Sequence, residues 1–211
     1  MAADQPLSVD WAVAHTPLPG QTESGDNYVV ESFPQGYLMS VIDGLGHGPK
    51  ASVAAKAAVE ALRSNPNDSP DTLMQRCHRN MTSTRGAVIT LASLNTITNT
   101  IIWMGVGNVT GVLIQANSNG ESTREYLLLR GGIVGYRLPP LRAYSQPVHP
   151  GDLLILVTDG IRKGFIENLP TTATPQEIAD HIHMTYCRGT DDALVLVVRF
   201  VPDSAPRADG D

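Results

Sequence analysis

Apolar and polar positions follow two different periods along this chain, and the period changes where the elements change. Tyr28-Val29-Val30-Glu31-Ser32 and Tyr37-Leu38-Met39-Ser40-Val41-Ile42 are rich in strand formers. Pro34-Gln35-Gly36 separates them, which predicts a hairpin. The second run ends at Asp43-Gly44. From Pro49 onward, KASVAAKAAVEALRS places apolar residues three and four apart, and Asn65-Pro66 stops the pattern. Proline is tolerated in a first helical turn, so this stretch predicts a helix. Asp68-Ser69-Pro70-Asp71 caps a second helix running to about Ser83, with Leu73, Cys77 and Met81 on one face.

After Arg85-Gly86 the runs become strand-like: AVITLASLN, TIIWMGVGN, TGVLIQAN, YLLLR and LRAYSQPVH, divided by Asn, Gly, Ser and Pro. Leu153-Leu154-Ile155-Leu156-Val157 is apolar at every position, as a central strand buried on both faces would be, and leads to Asp159-Gly160. A helix from about Pro175 to Tyr186 follows, with Thr174 as its N-cap. Ala193-Leu194-Val195-Leu196-Val197-Val198 closes the pattern, directly after Asp191-Asp192. Strands group with strands here rather than alternating with helices. That order predicts an α+β fold, a four-layer α-β-β-α sandwich of two mainly antiparallel sheets with helix pairs outside. Residues 1–200 read as a single domain. VPDSAPRADGD, at 201–211, is polar and aperiodic and reads as a disordered tail.

Composition narrows the class. The 211 residues are 42% hydrophobic, and no apolar run approaches the ~18 residues that cross a bilayer. The net charge is −6, and all of it falls before Lys50: Asp4, Asp10, Glu23, Asp26, Glu31 and Asp43 precede the first basic residue. Early targeting signals need early basic residues, and nucleic-acid binding needs a basic cluster larger than Arg162-Lys163. Neither a membrane nor a nucleic-acid partner is therefore expected. Cys77 and Cys187 show no metal-binding spacing and read as free thiols in a reducing, cytoplasmic setting.

The chemistry lies in carboxylates at strand ends. Asp43 follows one apolar strand, Asp159 another, and Asp191-Asp192 precede a third. If the last strand runs antiparallel to the first two, all of them meet at one edge, and Asp26, just before the hairpin, reaches the same place. Clustered carboxylates repel one another unless a cation joins them, and an all-oxygen set suits Mg²⁺ or Mn²⁺. The competing reading is that each Asp-Gly is an ordinary turn.

Asp43-Gly44-Leu45-Gly46-His47-Gly48 resembles the Asp-x-x-Gly-His-Gly signature of the metal-dependent protein phosphatase (PPM) family, in its bacterial SpoIIE/RsbU/RsbX branch. Gly25-Asp26, Arg85-Gly86-Ala87, Gly105-Val106-Gly107-Asn108, Thr158-Asp159-Gly160 and Asp191-Asp192 resemble the family's further motifs in the same order. The short chain and the wording of the first motif look most like the RsbX type. The resemblance implies two Mn²⁺ or Mg²⁺ ions bridged by Asp43, with the Gly44 carbonyl on one ion and Asp159 and Asp191 on the other. Asp26 would join directly or through water. It further implies a serine/threonine phosphatase in which a metal-bridging hydroxide attacks the phosphoester, acting as a monomer on a phosphorylated STAS-domain stressosome protein.

Two positions depart from the pattern. Leu45 stands where the eukaryotic branch has a histidine, leaving His47 as either a general acid or a structural histidine. Leu194 stands where the closing motif usually has a hydroxyl, which leaves Asp192 open as an alternative to Asp191, although strand alignment prefers Asp191. Two other functions compete: a catalytically silent PPM-fold binding module, which would be expected to lack one of the acids, and a hydrolase of small phosphoesters. Arg85 and Arg130 are candidates for substrate phosphate or plain surface charge, and Trp11 and Trp103 are core candidates.

Overall fold

The structure, a computed structural model, describes residues 5–116 and 122–203. Ten strands and three helices follow in the order β1 (Leu7–Thr16), β2 (Asp26–Phe33), β3 (Gly36–Gly44), α1 (Pro49–Arg63), α2 (Pro70–Asn80), β4 (Ala87–Asn95), β5 (Thr100–Val106), β6 (Thr110–Ala116), β7 (Ser122–Tyr126), β8 (Tyr144–Pro147), β9 (Leu153–Val157), α3 (Pro175–Tyr186) and β10 (Ala193–Pro202). They form two five-stranded antiparallel sheets, ordered β1-β10-β9-β6-β7 and β2-β3-β4-β5-β8.

The predicted four layers are present, and the alternation of side chains explains them. Along β10, Leu194, Leu196, Val198 and Phe200 enter the core between the sheets, while Ala193, Val195 and Val197 pack toward α3. β9 divides the same way, with Leu154 and Leu156 inward and Leu153, Ile155 and Val157 outward. These strands are apolar throughout because both of their faces are covered. On the other sheet, Met39 and Val41 of β3 face the intersheet core, and Leu38 and Ile42 face α1 and α2. The helix ends behave as their sequences predict: the Ser69 hydroxyl accepts from the Thr72 amide, and Thr174 and Glu177 form a reciprocal capping box.

Five expectations need correction. The outer layers differ: α1 and α2 pair over one sheet, but among the described residues α3 is the one helix over the other. The place of a fourth helix is taken by an irregular stretch after β9 that buries Ile161, Phe165 and Ile166. Left-handed backbone at Gly164 and Asn168, followed by Pro170, prevents a helix there. β1 has no counterpart among the predicted strands, although it is ten residues long and pairs along its whole length with β10. YLLLR is not one strand; after Tyr126 the chain crosses between sheets, with the Leu127 amide donating to Gly111 of one and the Arg130 amide to Gly105 of the other. β10 continues through Pro202, opposite Leu7, so Val201 and Pro202 belong to the sheet, and the remainder of the expected tail, 204–211, lies outside the described residues. Trp103 is buried, whereas Trp11 is 40% exposed and tilted against Tyr28 on the sheet edge.

Candidate metal centre

Strand register brings the predicted acids to one edge. Asp26 opens β2 and Asp43 is next to last in β3, and the two are cross-strand partners. Asp159 follows the end of β9, and Asp191-Asp192 precede the start of β10, which is antiparallel to it. Glycines draw the backbones together here. A Cβ on Gly44 would collide with the Ala51 carbonyl of α1, and one on Gly160 with the Asp192 carbonyl. The Gly44 amide donates to the Gly25 carbonyl at 3.0 Å.

The acids divide into two groups. Asp43, Asp159 and Asp191 line one open cavity of about 400 Å³, together with Gly107, Asn108 and Gly131. Asp26 and Asp192 lie behind it, 4% and 2% exposed. Both oxygens of Asp192 are committed: one accepts from the Leu18 amide at 2.7 Å, the other from the Gly25 amide at 2.8 Å. Asp26 accepts from the Thr158 hydroxyl at 2.7 Å, and that hydroxyl accepts in turn from the Leu194 amide at 2.9 Å. Asp159 accepts from the Asn108 side-chain amide at 2.9 Å.

Burial and mutual repulsion dominate the electrostatics. Burial, then the charge of Asp43, pushes the Asp26 carboxyl up to about 9 against the pull of the Thr158 hydroxyl. Burial, then Asp159 and Asp191, pushes Asp43 up to about 8. Asp159 is also raised, by burial and by Asp191, while Asn108 and the Arg188 guanidinium oppose the shift. Such a set is poor as bare carboxylates and is suited to a dication, which relieves the repulsion.

No three Asp, Glu, His or Cys side chains among the described residues are gathered tightly enough to close on one ion by themselves. Mg²⁺ keeps several waters and takes one or two carboxylates, so protein groups alone need not enclose it. The cavity leaves room for those waters, and its donors are oxygens, so the residues fit hard divalent ions.

Of the other sequence candidates, His47 is exposed and does not line the cavity. The Gly44 carbonyl lies against Gly25, whose added Cβ would sit 3.2 Å from it. The Arg85 guanidinium lies over Gly46 on the cavity wall, with a terminal nitrogen 2.9 Å from where a Cβ of Gly46 would be. Arg130 is exposed. Sequence reasoning gave no role to Thr158, Asn108 or Arg188. The first two stood inside recognised motifs, and that adjacency was the available signal; nothing along the chain pointed to Arg188.

This two-sheet sandwich with an acid-lined strand edge is the fold of the PP2C-type, or PPM, serine/threonine phosphatases. The structure of the catalytic domain of the serine/threonine phosphatase PstP in complex with two manganese ions superposes with a TM-score of 0.66, at 17% identity over 92% of this chain and 99% of its own. RsbX in complex with magnesium superposes with a TM-score of 0.80, at 21% identity over 91% and 95%. A protein from a structural study described as "The bacterial stressosome: a modular system that has been adapted to control secondary messenger signaling" reaches 0.81 at 28% identity, over 91% of this chain and all of its own. No curated protein sequence matches. Residues 34–201 match the family described as Stage II sporulation protein E (SpoIIE), and the chain belongs to that family.

Proposed function

We propose that this protein is a Mn²⁺- or Mg²⁺-dependent phosphatase that removes phosphate from serine or threonine of a phosphorylated STAS-domain stressosome protein. The observation that carries the reading is the convergence of Asp43, Asp159 and Asp191 on one open cavity. In this reading Asp43, Asp159 and Asp191 would hold two ions between them with the Gly44 carbonyl, and Asp26 would serve the site directly or through water. When bound, the ions lower the pKa of a coordinated water and offset charge on the phosphoryl oxygens.

The chain's own residues have distinct tasks. Asn108 orients the Asp159 carboxylate by its 2.9 Å bond. Thr158 fixes Asp26 and ties it to the start of β10. Asp192 anchors the loop before β2 rather than serving as a ligand, because its oxygens already accept two backbone amides. We assign no proton transfer to His47, which stands outside the cavity. None of the expected acids is missing, which favours turnover over a silent binding module. Two similar structures support the substrate class: one is RsbX and another comes from a stressosome study. A monomeric, cytoplasmic enzyme fits this reading, and no helix among the described residues is long and apolar enough to cross a membrane.

Hydrolysis of p-nitrophenyl phosphate with and without Mn²⁺ tests the enzyme, and comparison of a phosphorylated STAS-domain protein with free phosphoserine tests the substrate. Metal-dependent turnover that favours the protein is expected. No turnover with either metal would sink the proposal.

A further inference from the structure

A second cavity, of about 440 Å³, opens beside the acid-lined one and shares Asn108 and Asp159 with it. Its character is different. Val157, Ile161, Phe165 and Ile166 line it, each 6% exposed or less, and half-exposed Tyr126 forms an outer wall. The stretch that supplies Ile161, Phe165 and Ile166 is pinned. The Arg162 amide donates to the Tyr186 carbonyl and the Arg188 amide to the Gly160 carbonyl, both at 2.8 Å, and Ile161 bridges to Cys187. The pocket is therefore preformed. Lys163 and Arg188, both exposed, also line it, beside a cavity lined by three acids.

Resting on the phosphatase reading, we propose that this pocket receives an apolar side chain of the phosphoprotein substrate, one or two residues from the phosphorylated position. An apolar lining offers water few partners and favours an apolar occupant. An extended chain advances ~3.3 Å per residue, so a near neighbour of a residue held in the acid-lined cavity falls within the adjoining one. Lys163 and Arg188 complement the phosphate that the same segment carries. The pocket is thus a specificity element: a small phosphoester cannot use it, and a protein segment can.

The test uses two peptides, identical except that phosphoserine is flanked by Leu in one and by Gly in the other, with the full chain and saturating Mn²⁺. The Leu peptide is expected to have a kcat/KM higher by about tenfold or more. Thr110→Phe, which fills the pocket, and Tyr126→Ala, which opens its wall, should each reduce that ratio, Thr110→Phe to near one. Because the ratio is the readout, a general loss of activity does not mimic the effect, and the wild-type ratio stands even if one variant fails to fold. Fluorescence anisotropy of the labelled peptides on Asp43→Asn reads the same preference without turnover. Equal turnover and equal binding of the two peptides overturn the pocket and leave the phosphatase standing. A binding preference with no turnover of either peptide supports the pocket and overturns the phosphatase reading.

Discussion

The carboxylates at the sheet edge differ more between front and back than between strands. Asp43, Asp159 and Asp191 face an open cavity, whereas Asp26 and Asp192 are almost fully buried behind it and hydrogen-bonded to the scaffold. Asp191 and Asp192 are adjacent in sequence, yet they fall on opposite sides of this division: the chain bends at Asp191, whose side chain accepts from the Asp192 amide, just before β10 begins. The front acids are open to a ligand, whereas the back acids are held by hydrogen bonds to Leu18, Gly25 and Thr158.

The largest expected effect breaks the front group. Asp43→Asn keeps the shape and removes the charge at the centre of the repelling set. Mn²⁺-dependent hydrolysis should fall by well over a hundredfold, exceeding the 10–100-fold typical of partners one shell further out. The metal-free protein should meanwhile melt higher at neutral pH, since folding no longer has to protonate a buried carboxyl. Loss of activity together with a lower melting temperature would show that Asp43 holds the fold instead.

Asp192→Ala attacks the back group and should read out as stability. It strands the buried amide of Gly25 and the part-buried amide of Leu18, each bound to a charged acceptor, at a cost of about 3 kcal/mol in chemical denaturation. Asp191→Ala should cost less than about 1 kcal/mol and instead weaken Mn²⁺ binding. The reverse pattern would exchange the two roles.

How far this division was legible in sequence follows from where the information lies. The doubly apolar β9 and β10 announced a covered sheet, and the acids at their ends announced the edge. β1 went unread because it is an edge strand: its apolar register, Leu7, Val9, Trp11 and Val13, leaves Trp11 40% exposed and is broken at His15. The single helix over the second sheet went unread because three backbone breakers, Gly164, Asn168 and Pro170, outweigh an apolar content that suits a helix. The anchoring of Asp192 had no local signal at all, since its partners are backbone amides more than 160 residues earlier in the chain. Side-chain patterns record burial and period, and leave distant main-chain donors silent.

A pH series sharpens the comparison at intermediate size. The folded carboxyls of Asp26 and Asp43 titrate near 9 and 8, against 3.8 for the ordinary group. Folding therefore takes up protons at neutral pH. That stabilisation is complete below about pH 4 and is lost as pH rises through 8 to 9. The metal-free melting temperature should fall steadily from pH 5 to 9, and Asp26→Asn or Asp43→Asn should flatten the decline. Saturating Mg²⁺ should flatten it as well, because the dication favours the ionised form. A metal-free melting temperature that rises over this range would contradict the raised carboxyls.

Asn108 offers the smallest and most discriminating test, because it touches the front group from outside. Its side-chain amide donates to Asp159 in a part of the cavity that is open to solvent, and it contributes nothing to the buried acids behind. Asn108→Ala should therefore leave the melting temperature within a degree or two, on the order of a solvated surface substitution. The Mn²⁺ concentration for half-maximal activity should rise by about tenfold, as for other partners that orient a ligand. kcat at saturating metal should change far less, since the orienting bond acts on metal capture and the cation then holds the carboxylate itself. A drop in kcat that excess Mn²⁺ does not rescue would instead place Asn108 against the substrate, which its position on the wall shared by the two cavities also permits.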